Sequence, residues 1–312
     1  MGAQVHVIRQ TRRGSRYVEK CRERSVEIVI ADEVQTEERK YPTRPGLTRT
    51  QPLLSCEAPD GLCFRLVRSR YQGGDKAFET PRHHHTFQQI RFSESGTLNF
   101  APGQDIAEGD IAYFPRAAYY GPQMRDHGIG LTVQFGFGNE MLGGKDALQV
   151  YYRGVEKLRT LGKVGNGTFT DTDPVTGEER IRDTWQAVAE ETTGEKFVFP
   201  PERYAGPILM HPREYNYYEV GPGVEVKHLG KFYDHSGPNG DVRISMIRFS
   251  GGGAQRLGSD RTQLAWTTSP GLLVDARTYP ELTCLYSPRG EEVTISGTNG
   301  VEVYLVEFPR LD

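Results

Sequence analysis

The chain has 312 residues, a formal net charge of −3 at pH 7, 36 glycines and 19 prolines. That charge excludes a general attraction to nucleic acid or to an anionic membrane surface. The glycines and prolines are typical of short strands joined by tight turns, and they argue against a helical bundle. No apolar run approaches the roughly 20 residues that a membrane span needs, and the N-terminus lacks the apolar core of a secretion signal. We therefore expect a soluble, cytoplasmic protein that binds neither nucleic acid nor membrane.

The first fifty residues are predicted to form a basic N-terminal arm that contains one strand, SVEIVIADEV. The arm could contact an anionic partner, but a solvated tail or a segment that wraps around a partner subunit is the favoured alternative. From residue 51 to 138, short runs such as LCFRLVRSRY, TFQQIRF and LTVQFGF alternate apolar and polar residues between glycine-bearing turns. This pattern indicates a module built of short strands.

Residues 139–215 have a different character and are predicted to form a helical bridge and a linker. In LQVYYRGVEKLRTLG, apolar residues recur every three or four positions, which predicts a helix. IRDTWQAVAEETTG is predicted to be a second helix that ends on its glycine. NGTFTDTDPVTGEE between them is predicted to be a loop, and the proline-rich FVFPPERYAGPILMHP an extended linker. Strand-like runs resume from residue 216 to 312, so the order predicts two β-modules joined by the bridge.

Three consecutive histidines open one of the predicted strands. Alternation along a strand places His83, His85 and Gln89 on one face and His84 on the other. Two imidazoles and one amide oxygen can bind a divalent first-row ion such as Fe, Ni, Mn or Zn, and glutamine leaves that ion a stronger Lewis acid than glutamate would. Arg91 shares this face, where it would hold a carboxylate or phosphate group, or else form a structural salt bridge.

The spacing His83-x-His85-x₃-Gln89-x₆-Gly96 resembles the first sequence motif of the cupin family, with glutamine in place of the usual glutamate. The resemblance implies a mainly all-β fold of two cupin-type β-barrels (double-stranded β-helix, or jelly roll) joined by the helical bridge. It also implies that His83, His85 and Gln89 bind a divalent transition metal. The alternative is a metal-free barrel in which the two histidines only make hydrogen bonds.

The stretch GDIAYFPRAAYY resembles the second cupin motif in its spacing. Gly109 and Pro115 match that motif, and Ala117 replaces its second glycine. Tyr120 stands where the family has a fourth ligand, a histidine, and a phenol is a poor ligand until a metal removes its proton. His127, a few residues downstream, is the alternative fourth ligand if the chain bends back.

The second β-module resembles a copy of the first that has lost its metal ligands. When Gln263 is aligned with Gln89, the first two histidine positions fall on Leu257 and Ser259, and Val293 takes the last one. The resemblance implies a bicupin whose second barrel has a structural or dimerising role. By the same resemblance we expect a homodimer.

Several further side chains are candidates for the site. Tyr113, Gln123 and Gln134 could line a substrate pocket, although ordinary packing is the favoured explanation for each one taken singly, and Tyr119 or Tyr120 could act as an acid–base group. The predicted function is a metal-dependent enzyme that acts on a small anionic or oxygen-rich substrate. A dioxygenase is favoured over a redox-neutral isomerase or lyase by family frequency alone. The alternative is a non-catalytic bicupin that binds a small molecule.

Overall fold

The computed structural model describes residues 5–8, 25–40, 46–72, 77–141 and 147–311. Strands dominate these residues, so the predicted mainly-β class is confirmed. Most of the predicted basic arm lies outside the described residues. Within them, no helix combines the length and the apolar character needed to cross a membrane.

The strands are short and follow one another closely along the chain. Before the helices they are β1 (Val5–Ile8), β2 (Val26–Ile30), β3 (Glu37–Lys40), β4 (Leu47–Glu57), β5 (Leu62–Tyr71), β6 (Phe78–Thr80), β7 (Gln88–Ser95), β8 (Leu98–Ala101), β9 (Gln104–Ile106), β10 (Ile111–Phe114), β11 (Gln123–Arg125) and β12 (Gly128–Phe137).

The central part of the chain contains both helices and some short strands. Its elements are α1 (Ala147–Leu161), β13 (Lys163–Gly165), β14 (Thr168–Thr172), β15 (Glu179–Asp183), α2 (Thr184–Thr193) and β16 (Ile208–Met210). The remaining strands are β17 (Tyr218–Gly221), β18 (Val224–Tyr233), β19 (Asp241–Phe249), β20 (Ala254–Leu257), β21 (Gln263–Thr267), β22 (Leu272–Val274), β23 (Arg277–Tyr279), β24 (Thr283–Ser287), β25 (Val293–Gly297) and β26 (Glu302–Glu307).

The chain divides into two compact units. The first comprises residues 1–36, 51–67 and 210–312, and the second comprises residues 37–50 and 68–209. This division differs from the predicted domains 1–50, 51–138, 139–215 and 216–312. β2, predicted within an N-terminal arm, pairs with β24 in a sheet of the first unit, and the predicted helical bridge belongs to the second unit. The bounds of the units depend on pairing between strands that are distant in sequence. Such pairing cannot be predicted from the order of the elements along the chain.

The first unit contains an eight-stranded sheet of order β1-β2-β24-β21-β26-β19-β18-β17 and a four-stranded sheet of order β20-β25-β22-β23. Its core is apolar and takes side chains from both sheets, among them Phe249 and Leu285 from the eight-stranded sheet and Ile295 from the four-stranded sheet. Leu257 and Val293, which occupy two of the aligned histidine positions, are both buried in this core. Burial of such side chains is the main stabilising contribution to a unit of this kind.

The second unit is built around a larger sheet in which β7 lies between β10 and β12. The register of these pairs places Gln89 directly opposite Phe114 on β10 and opposite Gln134 on β12. Side chains directly opposite on neighbouring strands point to the same face of a sheet. Gln89 and Gln134 are therefore neighbours on one face of the sheet. This agrees with the sequence, in which Gln134 is a polar residue that interrupts the apolar run TVQF.

The first unit repeats this strand arrangement. β21 lies between β24 and β26, with Gln263 opposite Ser287 on β24 and Glu307 on β26. Pro288 follows β24 directly, as Pro115 follows β10. The two units thus share one frame of three paired strands, and its register is the one that the sequence alignment of the two halves predicts.

Two helices and the three-stranded sheet β13-β14-β15 form a helical module within the second unit. The carboxylate of Asp183 accepts hydrogen bonds from the N–H groups of Trp185 and Gln186 at the start of α2, and Gly194 ends that helix with a φ of 70°. Both predicted helices are present. The predicted loop NGTFTDTDPVTGEE is wrong in part, because residues 168–172 form β14.

The helical module depends on a close approach of α1 to α2 at Gly154. A Cβ atom added to Gly154 would lie 2.5 Å from Val188 Cγ1. We expect Gly154→Ala to lower the free energy of unfolding by about 1–3 kcal/mol, because overpacking outweighs the gain in helix propensity. Gly165→Ala is the control, since nothing lies within 4 Å of a Cβ added there. Chemical denaturation of both variants tests this, and a Gly154→Ala protein as stable as the control would contradict it.

Candidate functional site

Backbone pairing places Tyr120 beside the histidines. The His83 N–H donates to the Tyr120 carbonyl at 2.9 Å, and the Tyr120 N–H donates to the His83 carbonyl at 3.0 Å. The Ala117 N–H donates to the His85 carbonyl at 2.8 Å, and Ala117 has a φ of 60°. Glycine adopts this left-handed conformation most readily, which gives a physical reason for the glycine of the motif that Ala117 replaces.

A set of buried hydrogen bonds joins Gln89, Arg91 and Tyr120. Gln89 Nε2 donates to the Tyr120 hydroxyl at 2.7 Å, and Arg91 Nη2 donates to the same hydroxyl at 3.2 Å. Gln89 Oε1 accepts from Arg91 Nη2 at 3.0 Å and from Gln134 Nε2 at 3.2 Å. These bonds fix the orientation of the Gln89 amide, because its oxygen must face the two donors.

Arg91 is the cation at the centre of this network, and only 7% of it is exposed. Its guanidinium carbon lies 4.2 Å from the centroid of the Phe114 ring, and its Nη1 donates to Gln123 Oε1 at 3.2 Å. These acceptors, two amides and a phenol, are all neutral, and arginine stays protonated throughout the physiological pH range. We call five residues the Arg91 cluster: Gln89, Arg91, Tyr120, Gln123 and Gln134.

The two histidines of the predicted metal site lie next to the Arg91 cluster. Their ring centroids are 5.0 Å apart, and the His83 ring lies 4.3 Å from the ring of Tyr120. His83 Nδ1 is 2.7 Å from the carbonyl oxygen of Pro81. That contact requires a proton on Nδ1 and leaves the lone pair on Nε2, which is the arrangement typical of a metal-binding histidine.

The residues fit a transition metal only in part. His83 and His85 fit, because both imidazoles lie together and the tautomer of His83 suits a ligand. Gln89 does not fit as the third ligand in this arrangement, since its oxygen already accepts two hydrogen bonds, one of them from a guanidinium. Within the described ranges, no three His, Cys, Asp or Glu side chains are grouped so that they could hold one ion. Counting the described residues alone, the imidazole pair would therefore need further ligands, such as substrate oxygens or water.

His84 has a separate environment, as strand alternation predicts. Its ring stacks on Tyr119 at 4.0 Å and on Phe199 at 3.5 Å, and its Nδ1 lies 2.8 Å from the Ala117 carbonyl oxygen. Burial lowers the pKa of the His84 imidazole below its usual 6.5. Tyr119 is 39% exposed and lies beneath the guanidinium of Arg82, so the structure does not bring this candidate acid–base group to the Arg91 cluster.

Two other candidates lie away from the Arg91 cluster. Tyr113 is fully buried and donates to Gln88 Oε1 at 2.7 Å, and its register opposite Ile90 puts it on the face of the sheet opposite to Gln89. His127 is exposed, and its Nδ1 contacts the carboxylate of Asp126. β11, which precedes it, pairs with β6 and does not bend back toward the histidines, so the structure does not place His127 as a fourth ligand.

The helical module supplies an aromatic wall that the sequence analysis missed. Trp185 meets the ring of His85 edge-on at 6.0 Å and the ring of Phe87 edge-on at 5.7 Å, and Tyr151 stacks on Trp185 at 5.7 Å. The ring of His85 in turn stacks on Phe87 at 4.4 Å. The position of Trp185 in the first turn of a predicted helix does not reveal its contact with His85 and Phe87, because these two residues lie about a hundred residues earlier in the sequence.

We expect Tyr120→Phe to lower the free energy of unfolding by about 1–3 kcal/mol. The substitution removes the acceptor of two buried N–H groups, one of them charged. Tyr286→Phe is the matched control, because within the described residues the buried Tyr286 hydroxyl has no hydrogen-bond partner. Equal losses in both variants on chemical denaturation would show that the Tyr120 hydroxyl does not stabilise the Arg91 cluster.

The lowered pKa of His84 makes stability depend on pH. The unfolded chain binds a proton at this imidazole near pH 6.5 and the folded chain only at lower pH, so the fold loses stability as pH falls below about 6.5. Phe199→Ala should raise the pKa toward 6.5 by admitting water, whereas Tyr218→Ala, at an exposed tyrosine elsewhere, should not. NMR titration of the imidazole resonances measures both, and an unchanged pKa in Phe199→Ala would contradict the stated cause.

No family model and no curated protein matches the chain. Solved structures do resemble it. A proposed dioxygenase from Nostoc punctiforme PCC 73102 is 9% identical, with coverage of 90% of this chain and 81% of that one, at a TM-score of 0.55. HEPD from Streptomyces albus, solved with 2-hydroxyethylphosphonate and Fe(II), is 12% identical over 91% of this chain and 76% of that one, at a TM-score of 0.51.

Protein Ylba from E. coli is likewise similar, at 12% identity over 92% of both chains and a TM-score of 0.50. At such identities a likeness establishes the fold and not the activity. The cupin-type β-barrel fold that the two sequence motifs predict is therefore confirmed.

Proposed function

We propose that the Arg91 cluster and the neighbouring imidazole pair form the active site of a metal-dependent enzyme that acts on a small organic anion. One observation carries the proposal: a buried guanidinium, oriented by two amides and a phenol, lies beside two paired histidines. A guanidinium matches a carboxylate or phosphonate group in charge and in hydrogen-bond geometry. A small organic anion is therefore the class of substrate that this arrangement suits.

His83 and His85 would hold the metal. A divalent transition metal bound there would polarise an oxygen of the substrate or activate dioxygen. HEPD, which shares the fold, was solved with Fe(II) and a phosphonate, and this supports a metal and an anion as joint occupants of such a barrel. The metal identity and the choice between oxygenase and redox-neutral chemistry belong to this proposal and rest on the family resemblance.

The protein side chains have distinct roles in the proposed reaction. Arg91 binds and orients the anionic group of the substrate, since a guanidinium matches a carboxylate or phosphonate in shape and charge. Gln89 and Gln134 hold Arg91 in place through the shared Gln89 oxygen. The oxygen of Tyr120 accepts two hydrogen bonds, so its own proton is directed elsewhere and can be donated to a substrate atom. The aromatic wall next to His85 limits the access of water.

Glutamine stands at position 89, where the family motif has glutamate. Its lack of charge makes the binding of the metal and the binding of the anion depend on each other. A divalent ion beside Arg91 without a negative ligand is repelled, and an anion relieves this repulsion for both cations. Metal and anion should therefore each bind more tightly in the presence of the other. A metal-free binding protein is the second candidate, and it is favoured by the hydrogen bonds that already occupy Gln89 Oε1.

We expect the affinity of the untagged protein for Mn(II) or Fe(II) to rise about tenfold when benzoate or methylphosphonate is present, which is ~1.4 kcal/mol of coupling. Both anions chelate free metal weakly. His85→Ala should abolish metal binding, and Arg91→Gln should remove the coupling while metal binding is retained and strengthened, because the repulsion by Arg91 is gone. His127→Ala is the control and should behave as the wild type, because His127 is exposed and away from the Arg91 cluster.

Calorimetry with and without the anion measures these affinities. Absence of metal binding, with anion binding retained and dependent on Arg91, would favour the metal-free binding protein. Equal metal affinity with and without the anion would contradict the proposed coupling.

The first unit is proposed as a structural or dimerising module. Its apolar core at the aligned ligand positions supports this role. The homodimer stays a prediction.

A further inference from the structure

The histidine tripeptide, residues 83–85, lies outside the regular strands. It follows β6 and precedes β7. His83 exchanges two backbone hydrogen bonds with Tyr120, and the His85 carbonyl accepts one from the N–H of Ala117. Among the described residues, His84 contributes no backbone hydrogen bond to this pairing. The conformation at the middle of the tripeptide therefore depends on the side chain of His84.

The His84 imidazole is held between two aromatic rings. Tyr119 stacks on it at a centroid distance of 4.0 Å with 15° between the ring planes, and Phe199 stacks on it at 3.5 Å with 26°. Two rings stacked on one imidazole at such distances must occupy its opposite faces. The contact of His84 Nδ1 with the Ala117 carbonyl oxygen, at 2.8 Å, fixes the rotation of the imidazole between them. We call the rings of Tyr119 and Phe199 the His84 clamp.

One half of the His84 clamp is anchored in the helical module. Phe199 lies six residues after the end of α2, and its ring meets the ring of Phe197 edge-on at 4.6 Å. Phe197 in turn packs against the apolar core of the two helices. Trp185, in the first turn of α2, meets the ring of His85. A single piece of chain therefore contacts two successive histidines, His84 through Phe199 and His85 through Trp185.

Fixing the His84 ring also constrains the imidazole pair. His83 and His85 project from residues bonded directly to His84, and their ring centroids lie 5.0 Å apart. A chain that could move freely at His84 would also populate conformations in which the two imidazoles are no longer together. Only the paired conformation offers both nitrogens to one ion, and an apparent affinity falls in proportion to the fraction of molecules in the competent conformation.

We propose that Phe199 and Tyr119 are positioning residues for metal binding: they hold His84, and thereby keep His83 and His85 in the arrangement that receives the metal. This role rests on the proposed function, because the metal is what requires the two imidazoles to stay together. It adds that the helical module contributes to metal affinity without supplying a ligand. It also gives the ring of Tyr119 a role that does not require its hydroxyl.

The first test is the affinity of the full chain for Mn(II), measured by calorimetry. Phe199 is the informative position, because a benzene ring has no atom that can act as a ligand to this ion. We expect Phe199→Ala to weaken Mn(II) binding about three- to tenfold, the range that corresponds to one aromatic stack. Phe199→Tyr should restore the affinity, because it keeps the ring. Val198→Ala is the control and should bind as the wild type does, since Val198 is 77% exposed.

The other half of the His84 clamp separates the ring of Tyr119 from its hydroxyl. Tyr119→Phe should bind Mn(II) with wild-type affinity, because the stack on His84 uses only the ring. Tyr119→Ala should weaken binding by about as much as Phe199→Ala does. If Tyr119→Phe were as weak as Tyr119→Ala, the hydroxyl would be the active group and the proposed clamp would be wrong.

The second test uses the metal-free protein, so that it does not depend on the proposed metal. Proton–nitrogen NMR spectra near pH 8, where imidazoles are neutral, show which ring nitrogen carries the proton. His83 Nδ1 faces the Pro81 carbonyl oxygen, so the wild type should show the Nδ1–H form of His83 alone. Phe199→Ala should show both forms, because the freed tripeptide loses this contact part of the time, whereas Phe199→Tyr and Val198→Ala should resemble the wild type.

The two tests let the clamp and the proposed function fail separately. A wild-type protein that binds no Mn(II) would overturn the metal in the proposed function, and the tautomer of His83 would still decide whether the clamp holds the imidazole pair. Two results would each overturn the clamp itself. The first is a Phe199→Ala protein that binds Mn(II) as tightly as the wild type, and the second is a single Nδ1–H form of His83 in that variant.

Discussion

The second unit is organised around the burial of one positive charge. The Arg91 guanidinium donates to Gln89, Tyr120 and Gln123, and it lies against the rings of Phe114 and Tyr120. These contacts join β7, β10, β11 and the segment that carries Tyr120. Removing any one acceptor would leave a charged donor unsatisfied inside the protein, which is the most unfavourable kind of polar burial. The positions of the neighbouring side chains therefore depend on this cation.

Glutamine at position 89 follows from the same constraint. A glutamate would form an ion pair with Arg91 and neutralise it. The neutral amide instead orients the guanidinium and leaves its charge in place, and it uses its oxygen to do so. That use competes with metal coordination, since one amide oxygen cannot serve a guanidinium, a second amide and a metal equally well. The residue that resembles a metal ligand in the sequence acts in the structure as a support for arginine.

Strand alternation predicted the shared face of Gln89 and Arg91, because period-two geometry is local and reliable within one strand. The histidines were predicted to open the same strand, but residues 83–85 precede β7 (Gln88–Ser95), and His83 makes only an isolated bridge to Tyr120. The separate position of His84 was nevertheless predicted correctly. Alternation does not tell which residues of β10 share a sheet face with Gln89. Tyr113 was therefore a candidate for the pocket, although its side chain lies on the opposite face of the sheet. His127 and Trp185 depend on how segments far apart in sequence approach each other. The same limit applies to the domain bounds, which are set by the pairing of β2 with β24.

The repeated frame shows that the same strand register can be built without an equivalent of the Arg91 cluster. Arg91 is opposite Ala112 and Thr132, and the corresponding position of the first unit, two residues after Gln263, is Ala265, opposite Leu285 and Leu305. There the same register supports an apolar core. A frame that folds around alanine and leucine does not require a buried arginine, and replacing buried charges by apolar side chains is often neutral or stabilising. A stability argument alone therefore does not account for Arg91 in the second unit, and the proposed binding of an anion supplies a reason for it.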